Sequence, residues 1–240
     1  MFTPIGFFAA AGGEIVTTNL EQWLRVETGT EAGTLADSSG NGRNGTLTNG
    51  ELVYNTTNDW WDIDATDWTP QVDTGYRIGD YVANSWTIEF WFNISSITGV
   101  ATGIVHNRGG IYSSNYITIG ANSSTGNVEI YVINSSAVEY SISDNNGGAG
   151  WIDGNWHHVA ATYDNGANTL TFYIDASSKG TTSLAGACDR AENLHYMGKF
   201  LRSTRYFSDA SFGSYRHYSA ALSASEVLQN YNAEKAHYGL

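Results

Sequence analysis

Paired carboxylates are the first chemistry to look for in this sequence, because a retaining glycosidase needs two of them about 5–5.5 Å apart. A strand can aim two acids into one cleft when they follow the pattern Glu-x-Asp-x-x-Glu, and no Glu of the chain begins that pattern. Trp91 stands two residues after Glu89, where the pattern needs Asp. The sialidase-type turn Ser-x-Asp-x-Gly-x-x-Trp is also absent from the sequence. We therefore predict that the protein is not an enzyme.

Metal binding is the second chemistry that the sequence raises. His157 and His158 are neighbours, and neighbours on a strand point to opposite faces, so the pair cannot chelate one zinc ion. Asp37 and Asn41 lie in a polar loop whose oxygens suit Ca²⁺, a cation that takes roughly 6–8 oxygen ligands. We predict a calcium site at these two residues. The alternative is that Asp37 only caps the loop as an Asx-turn.

Tryptophans beside carboxylates suggest a binding surface. Residues 59–68 hold four Asp and three Trp, and a sugar site combines flat aromatic faces with polar groups that hold hydroxyls. Protein interfaces favour Trp for similar reasons. The alternative places Trp61 and Ile63 in the core, with the acids solvated on the other face. The candidate ligand-binding residues are Trp60, Trp61, Trp91 and Glu89.

Nucleotide and nucleic-acid binding are disfavoured. Residues 40–45 match the dinucleotide fingerprint, but Thr46-Leu47-Thr48 follows where a helix must begin. The chain has 11 Lys+Arg against 24 Asp+Glu, a formal net charge of −13, whereas phosphate contacts need clustered basic residues. We expect no nucleic-acid partner and no anionic membrane surface. The single cysteine, Cys188, excludes a disulfide within the chain.

The elements that must carry these residues are mostly strands. The strongest signal is Trp86–Ile94, in which every second residue is apolar. Val128–Val132 and Leu170–Asp175 alternate in the same way, and residues 164–168 form a turn that joins the latter to Trp156–Tyr163 as a hairpin. Weaker patterns predict strands at Leu20–Val26, Glu51–Tyr54, Tyr76–Ile78, Gly103–His106, Tyr116–Gly120, Val138–Ile142, His195–Lys199 and Phe212–Tyr218.

One helix is predicted near the C-terminus. Ser223-Ala224-Ser225-Glu226 is a capping box, in which Ser and Glu each satisfy a free backbone N–H. Val227, Leu228 and Tyr231 then form an apolar stripe that continues to about Ala233. About a dozen strands and one terminal helix predict a single all-β sandwich domain over residues 14–240.

The first 13 residues are predicted to be an arm rather than part of the sandwich. They are apolar, but no Lys or Arg precedes the apolar stretch, so we expect no signal peptide. No apolar run is long enough for membrane insertion. The arm is expected to contact a neighbouring subunit, and the alternative is a frayed tail. The contacting residues would be Phe2, Ile5, Phe7 and Phe8.

Three blocks of sequence resemble one family, the laminin-G-like (concanavalin A-like) jelly rolls. They are Gln22–Leu24 followed by Asp37–Leu47, then Trp86–Phe92 followed by Gly154–Tyr163, and finally Phe212–Val227. The resemblance implies a two-sheet antiparallel jelly-roll sandwich with His158 as a core residue whose ring N–H is satisfied. It also implies calcium near Asp37, although the acid that relatives often carry on the C-terminal strand is replaced by Gly213-Ser214.

The opening and closing segments are similar to versions of this domain in tailed-phage virion proteins. That resemblance implies a non-enzymatic structural component of a virion, as capsid decoration, tail or fibre, located on the particle. Its partners would be other virion proteins or further copies of itself. The alternative function is a carbohydrate-binding module that recognises host-surface glycans, with or without calcium.

Overall fold

The computed structural model describes residues 13–25, 34–48, 52–55, 60–64, 71–77, 84–98, 102–107, 116–121, 127–134, 136–144, 150–185, 194–197 and 206–240. Within these residues the chain forms strands and one helix. The strands are β1 (Leu20–Leu24), β2 (Thr34–Leu35), β3 (Gly45–Thr48), β4 (Leu52–Asn55), β5 (Trp60–Asp64), β6 (Gln71–Arg77), β7 (Trp86–Thr98), β8 (Thr102–Asn107), β9 (Tyr116–Ala121), β10 (Val128–Ile133), β11 (Glu139–Ser143), β12 (Trp156–Asp164), β13 (Thr169–Ile174), β14 (Ser177–Ser183), β15 (Leu194–Met197) and β16 (Tyr206–Tyr218). The helix is α1 (Ala224–Glu234).

Two eight-stranded sheets build the described part of the chain. The first, here called the helix-side sheet, has the order β14-β13-β12-β7-β16-β5-β4, with β1 also paired to β16. The second sheet has the order β11-β10-β9-β8-β15-β6-β3-β2. All of the strand pairings are antiparallel, so the predicted all-β, two-sheet antiparallel sandwich with a short C-terminal helix is confirmed.

Strand β7 lies at the centre of the helix-side sheet and is buried on both faces. Ile88, Phe90 and Phe92 point into the main core between the sheets, as the period of two predicted. Glu89 and Trp91 on the opposite face are also 0% exposed. The face that the sequence presented as polar is therefore covered by another part of the chain.

Each predicted strand overlaps a strand of the structure, although the predicted ends at Val26, Glu51, Ile78 and Lys199 lie outside the described residues. Within the described residues, the sequence patterns missed four short or polar strands. Strand β14 (SSKGTTS) is rich in Ser and Thr and is largely exposed, because it lies at the edge of the helix-side sheet beyond β13. An edge strand needs no apolar alternation to be paired, so its sequence gives no signal. Strands β2, β3 and β5 are two to five residues long, which is too short for a reliable period.

Helix α1 begins as predicted and covers the outer face of the helix-side sheet. Ser223 and Glu226 form the capping box. The buried stripe differs from the prediction, because Leu228 is 47% exposed and the residues that face inward include Asn230 and Glu234. Val227 does pack inward, in a small core with the chain that precedes β1.

The structure does not test the predicted N-terminal arm. The proposed contact residues of the arm, Phe2, Ile5, Phe7 and Phe8, lie outside the described residues, so the arm stays a prediction, as does the boundary of the domain at residue 14.

Among the residues that the structure describes, no helix has the length and apolar character to cross a membrane.

Candidate functional site

A buried network of charges lies between α1 and the helix-side sheet. Glu89 on β7 and Arg216 on β16 are direct partners in the strand ladder, so their side chains share the helix-facing side. The Nε of Arg216 donates to Glu89 Oε1. Its two terminal nitrogens donate to the two oxygens of Glu234 on α1, at 2.7 and 2.8 Å. One guanidinium therefore joins two strands and the helix.

Uncharged donors complete the network. Trp91 Nε1 donates to Glu234 Oε2 at 2.8 Å, and Ser214 Oγ lies 2.9 Å from both oxygens of Glu234. Asn230 Nδ2 donates to Glu89 Oε1 at 2.9 Å and to the hydroxyl of Tyr218 at the same distance. These dipoles support the negative charges because one cation serves two carboxylates.

The network keeps Glu89 ionised. Burial by itself would raise the pKa of Glu89, but the charge and hydrogen bond of Arg216 together with the neighbouring His158 outweigh burial and lower that pKa to about 2. The two glutamates raise the pKa of Arg216 well above its usual range despite its complete burial. A carboxylate fixed in this way is a counter-ion, and it has no accessible proton for acid or base chemistry.

The placement of Glu89 and Trp91 corrects their interpretation as ligand-binding residues. Trp91 stacks on Tyr238 with ring centroids 4.3 Å apart and on Tyr231 with centroids 5.6 Å apart. Both Glu89 and Trp91 are 0% exposed, so neither offers a surface to a sugar or a protein. The sequence pattern could not show this, because the cover comes from α1 and the C-terminal residues, more than a hundred positions away.

The two tryptophans of β5 have different roles. Trp61 is 1% exposed and belongs to the core between the sheets, so the alternative interpretation holds for it and it cannot contact a ligand. Trp60, on the other face, is partly exposed. Its ring centroid lies 5.1 Å from that of Trp156, at the border of the aromatic cluster formed with Trp91 and Tyr238. Trp60 is therefore the one predicted ligand residue of the four that retains an accessible ring.

The loop after β2 is organised by the carboxylate of Asp37. Its Oδ1 accepts the backbone N–H groups of Trp23 and Ser39, each at 2.9 Å. Its Oδ2 accepts the hydroxyl of Ser39 at 2.8 Å and the N–H of Arg43 at 2.9 Å. Burial would raise the pKa of Asp37, but these hydrogen bonds outweigh it and lower that pKa. The bond from Ser39 is the Asx-turn of the alternative interpretation.

Calcium at Asp37 and Asn41 stays a prediction. The carboxylate of Asp37 is already stabilised by hydrogen bonds without an ion. Both oxygens of Asp37 already face N–H or O–H donors, which repel a cation. The side chain of Asn41 donates its amide to the carbonyls of Leu20 and Glu21. No group of three or more His, Cys, Asp or Glu side chains within the described ranges could hold a metal ion.

Gly213 and Ser214 of β16 lie against the side chain of Tyr238. The hydroxyl of Tyr238 accepts the N–H of Ser214 at 2.8 Å. A side chain at position 213 would collide with the phenol ring, so a glycine is required at this bulge in β16. The chain thus docks its own C-terminal segment on this strand.

The two histidines point to opposite faces, as predicted. His157 Nδ1 lies 2.9 Å from Asp175 Oδ2, and its Nε2 lies 3.3 Å from Asp153 Oδ1. Burial would lower the pKa of His157, but these two carboxylates outweigh it and raise that pKa. His158 is fully buried, as expected for a core residue. Its Nε2 lies 3.5 Å from Glu89 Oε2 and its Nδ1 has no partner within the described residues, so the expected hydrogen bond of the ring is only marginal.

Sequence reasoning missed Arg216, Glu234 and Asn230. A signal exists in retrospect: Val227, Asn230 and Glu234 are spaced three and four residues apart, which is one face of a helix. Two polar residues on that stripe are unusual for a face that must be buried. Their partners are 12 or more positions distant, so only the fold reveals the pairing.

The chain superposes on solved toxin binding domains. They include the binding domain of Paraclostridial Mosquitocidal Protein 1, with a TM-score of 0.69, 16% identity and coverage of 90% of this chain and 52% of that chain. The binding domain of Botulinum Neurotoxin DC in complex with SialylT gives a TM-score of 0.65 and 13% identity over 90% of this chain and 52% of that one. The same domain in complex with rat synaptotagmin II gives 0.66 and 14% over 91% and 52%. The chain spans about half the length of these neighbours.

A family model matches the sequence itself. No curated protein matches the chain. Residues 76–228, more than half of the chain, match Laminin_G_3, the family model of the concanavalin A-like lectin/glucanases superfamily. This segment contains β7 and the strands around it, and it ends inside α1. The protein therefore belongs to the concanavalin A-like lectin/glucanase superfamily, as its laminin-G-like sequence blocks indicated.

Proposed function

We propose that this chain is a non-enzymatic binding domain that recognises carbohydrate. The observation that carries the proposal is the sandwich itself, which is the lectin-like fold and superposes over 90% of its length on a toxin binding domain in complex with SialylT. The partly exposed ring of Trp60 supports the proposal, because a flat aromatic face is what a pyranose ring stacks against.

The pairing of two buried glutamates with Arg216 supports a role without catalysis. Glu89 and Glu234 are the pair of acids that the fold brings to one guanidinium, and both are buried between α1 and the helix-side sheet. A glycosidase needs one acid that can give up a proton and one that faces the sugar. A pair committed to Arg216 supplies neither of these functions.

A glycan array tests the proposal. The full chain is applied with and without a chelator, because calcium is part of the carbohydrate-binding alternative. Binding to defined glycans supports the proposal, and its loss with chelator assigns the calcium. A failure to bind any glycan contradicts it. A release of reducing sugar from the bound glycans would instead make the protein a hydrolase.

The second proposal is that the domain acts as a structural component of a virion. Its support is the apolar arm sequence, Phe2, Ile5, Phe7 and Phe8, ahead of a strongly acidic domain with a net charge of −13. An apolar arm can be buried on a neighbouring subunit, while the charge keeps the exposed surface soluble. The two proposals are compatible, since a particle protein can also bind glycans.

Deletion of residues 1–13 tests the second proposal. We expect the deletion to abolish self-association or attachment to a particle protein, as measured by light scattering and co-sedimentation, while the domain stays folded by circular dichroism. The substitution of Phe7 and Phe8 by Ser is the matched control for the loss of apolar character alone. Unchanged association in both variants would contradict the role of the arm.

A further inference from the structure

A row of polar groups crosses the outer face of the helix-side sheet beside Trp60. The ladder pairs Asn93 of β7 with Ser211 of β16, and Ser211 with Asp62 of β5. Residues that pair directly in this way point to the same face. Asn93, Ser211 and Asp62 are all partly exposed, whereas their neighbours Phe92 and Phe212 point into the core. The row therefore lies on the outer surface, beyond the end of the buried network.

The aromatic residues beside this row pack against one another. Trp156 pairs with Asn93 in the ladder on the other side of β7, and it is 8% exposed. Its ring lies 4.7 Å from that of Tyr238 and 5.1 Å from that of Trp60. Trp60 is thus held by a packed ring behind it while part of its own ring remains accessible. A ring fixed in this way loses little side-chain entropy when a ligand stacks on it.

The polar row is partly engaged and partly available. Ser211 Oγ donates to Asp62 Oδ1 at 2.5 Å, and Asn93 Nδ2 donates to the carbonyl of Gly154 at 2.8 Å. These two bonds fix the directions of the side chains. Within the described part of the chain, the second carboxylate oxygen of Asp62 and the amide oxygen of Asn93 accept no hydrogen bond. Two positioned acceptors are suited to a ligand that is rich in hydroxyl donors.

The charge of the row selects among such ligands. Asp62, which pairs with Ser211, carries a carboxylate into the site. The protein as a whole carries −13. An acceptor that is negatively charged binds a hydroxyl more strongly than a neutral one does, and it repels a carboxylate of the ligand. The row spans three adjacent strands, about 10 Å, which is comparable with a disaccharide.

We infer that Trp60, Asp62, Asn93 and Ser211 form a binding site for uncharged sugars. The sugar ring stacks on Trp60, and its hydroxyl groups donate to Asp62 and Asn93. This inference rests on the proposed carbohydrate-binding function and adds to it a location and a ligand class. Sialylated glycans are disfavoured at this site, because their carboxylate would meet that of Asp62.

The test is an array that carries uncharged hexose and N-acetylhexosamine chains beside the same chains capped with sialic acid. We expect the wild type to bind at least one uncapped chain about tenfold more strongly than its capped form. Asp62→Asn, which keeps the shape of the side chain, is expected to weaken binding of that uncapped chain about tenfold and to reduce the discrimination against the cap. Trp60→Ala is expected to weaken it by a similar factor or more.

The control is Trp23→Ala, which removes a partly buried tryptophan from β1, outside the proposed site. It is expected to leave binding unchanged, and circular dichroism checks that each variant is folded. If Trp60→Ala fails to fold, Asp62→Asn decides the question. Binding by the wild type that neither variant weakens, or a preference for capped chains, overturns the site while the carbohydrate-binding function stands. An absence of binding to every glycan overturns both.

Discussion

Glu89 and Asp37 are two carboxylates that the fold keeps ionised by different means. Glu89 is completely buried and is held by the guanidinium of Arg216, which together with His158 lowers its pKa to about 2 against the effect of burial. Asp37 lies in a loop, is partly exposed, and is held by backbone N–H groups and one hydroxyl, which also lower its pKa. A cation is needed in the first case and dipoles suffice in the second.

Burial explains this difference. Removing a carboxylate from water costs several kcal/mol, and dipoles alone seldom repay that cost deep in a protein. Asp37 keeps part of its hydration, so four ordinary hydrogen bonds stabilise it. Glu89 keeps none, and its partner Arg216 must also neutralise Glu234. The network therefore attaches α1 to the helix-side sheet through buried ion pairs. The Asp37 loop is instead organised by hydrogen bonds of its own carboxylate.

Removal of Arg216 is the strongest way to test this comparison. Arg216→Met keeps most of the apolar stem and leaves Glu89 and Glu234 buried without a cation. We expect the free energy of unfolding to fall by about 3–5 kcal/mol, measured by urea denaturation. Arg43→Met is the matched control, since Arg43 pairs with Glu21 at the surface and its side chain is 44% exposed. Equal losses in the two variants would contradict the importance of burial.

The substitution Glu89→Gln is expected to have the next largest effect. It removes one charge but keeps the shape and leaves Arg216 paired with Glu234, so we expect a loss of about 2–3 kcal/mol. The pKa of Glu89 is lower in the folded state than its ordinary value of 4.5. The stability that it contributes is therefore present above pH 4.5 and is lost as the pH falls through about 2. Urea denaturation at several pH values should show a flatter acid dependence for Glu89→Gln, and an unchanged dependence would contradict this origin.

A smaller effect is expected for Asp37→Ala. The variant leaves four donors without their acceptor, but water can reach some of them, so we expect a loss of about 1–2 kcal/mol. The lowered pKa of Asp37 has the same sign as that of Glu89: its contribution is present above its ordinary value of 3.8 and declines at lower pH. Ser39→Ala, which removes a single hydroxyl from Asp37, should cost less. A larger loss for Asp37→Ala than for Arg216→Met would reverse the comparison.

Calcium gives the smallest expected change. If the ion binds at Asp37 and Asn41, it has to displace donors from the carboxylate, so we expect weak binding that adds about 1 kcal/mol when Ca²⁺ exceeds Kd severalfold. Tm in the presence of Ca²⁺ and of chelator measures this, with Asp37→Asn as the variant that should lose the difference. An equal Tm in both solutions would contradict the calcium prediction and leave hydrogen bonding as the role of Asp37.

Much of the fold could be predicted because its signals are local. The alternation of Ile88, Phe90 and Phe92 places one face of β7 in the core, whatever lies on the other face. The capping box at Ser223 sets the start of α1 through bonds that span three residues. The site was harder to predict, and of its four proposed residues only Trp60 was identified from the sequence. Asp62, Asn93 and Ser211 come together through strand register, which a sequence pattern does not contain.

The sequence by itself determined the class of the fold, because side-chain alternation and helix capping act between near neighbours in the chain. It also determined that Asp37 would organise its loop, since a carboxylate readily accepts an N–H two residues on. Only the tertiary structure decided that Glu89 and Trp91 are buried and that Trp60 is not. Exposure depends on what covers a face, and here the cover is α1 and Tyr238, which reach β7 from about 140 positions further along the chain through a shared arginine and stacked rings.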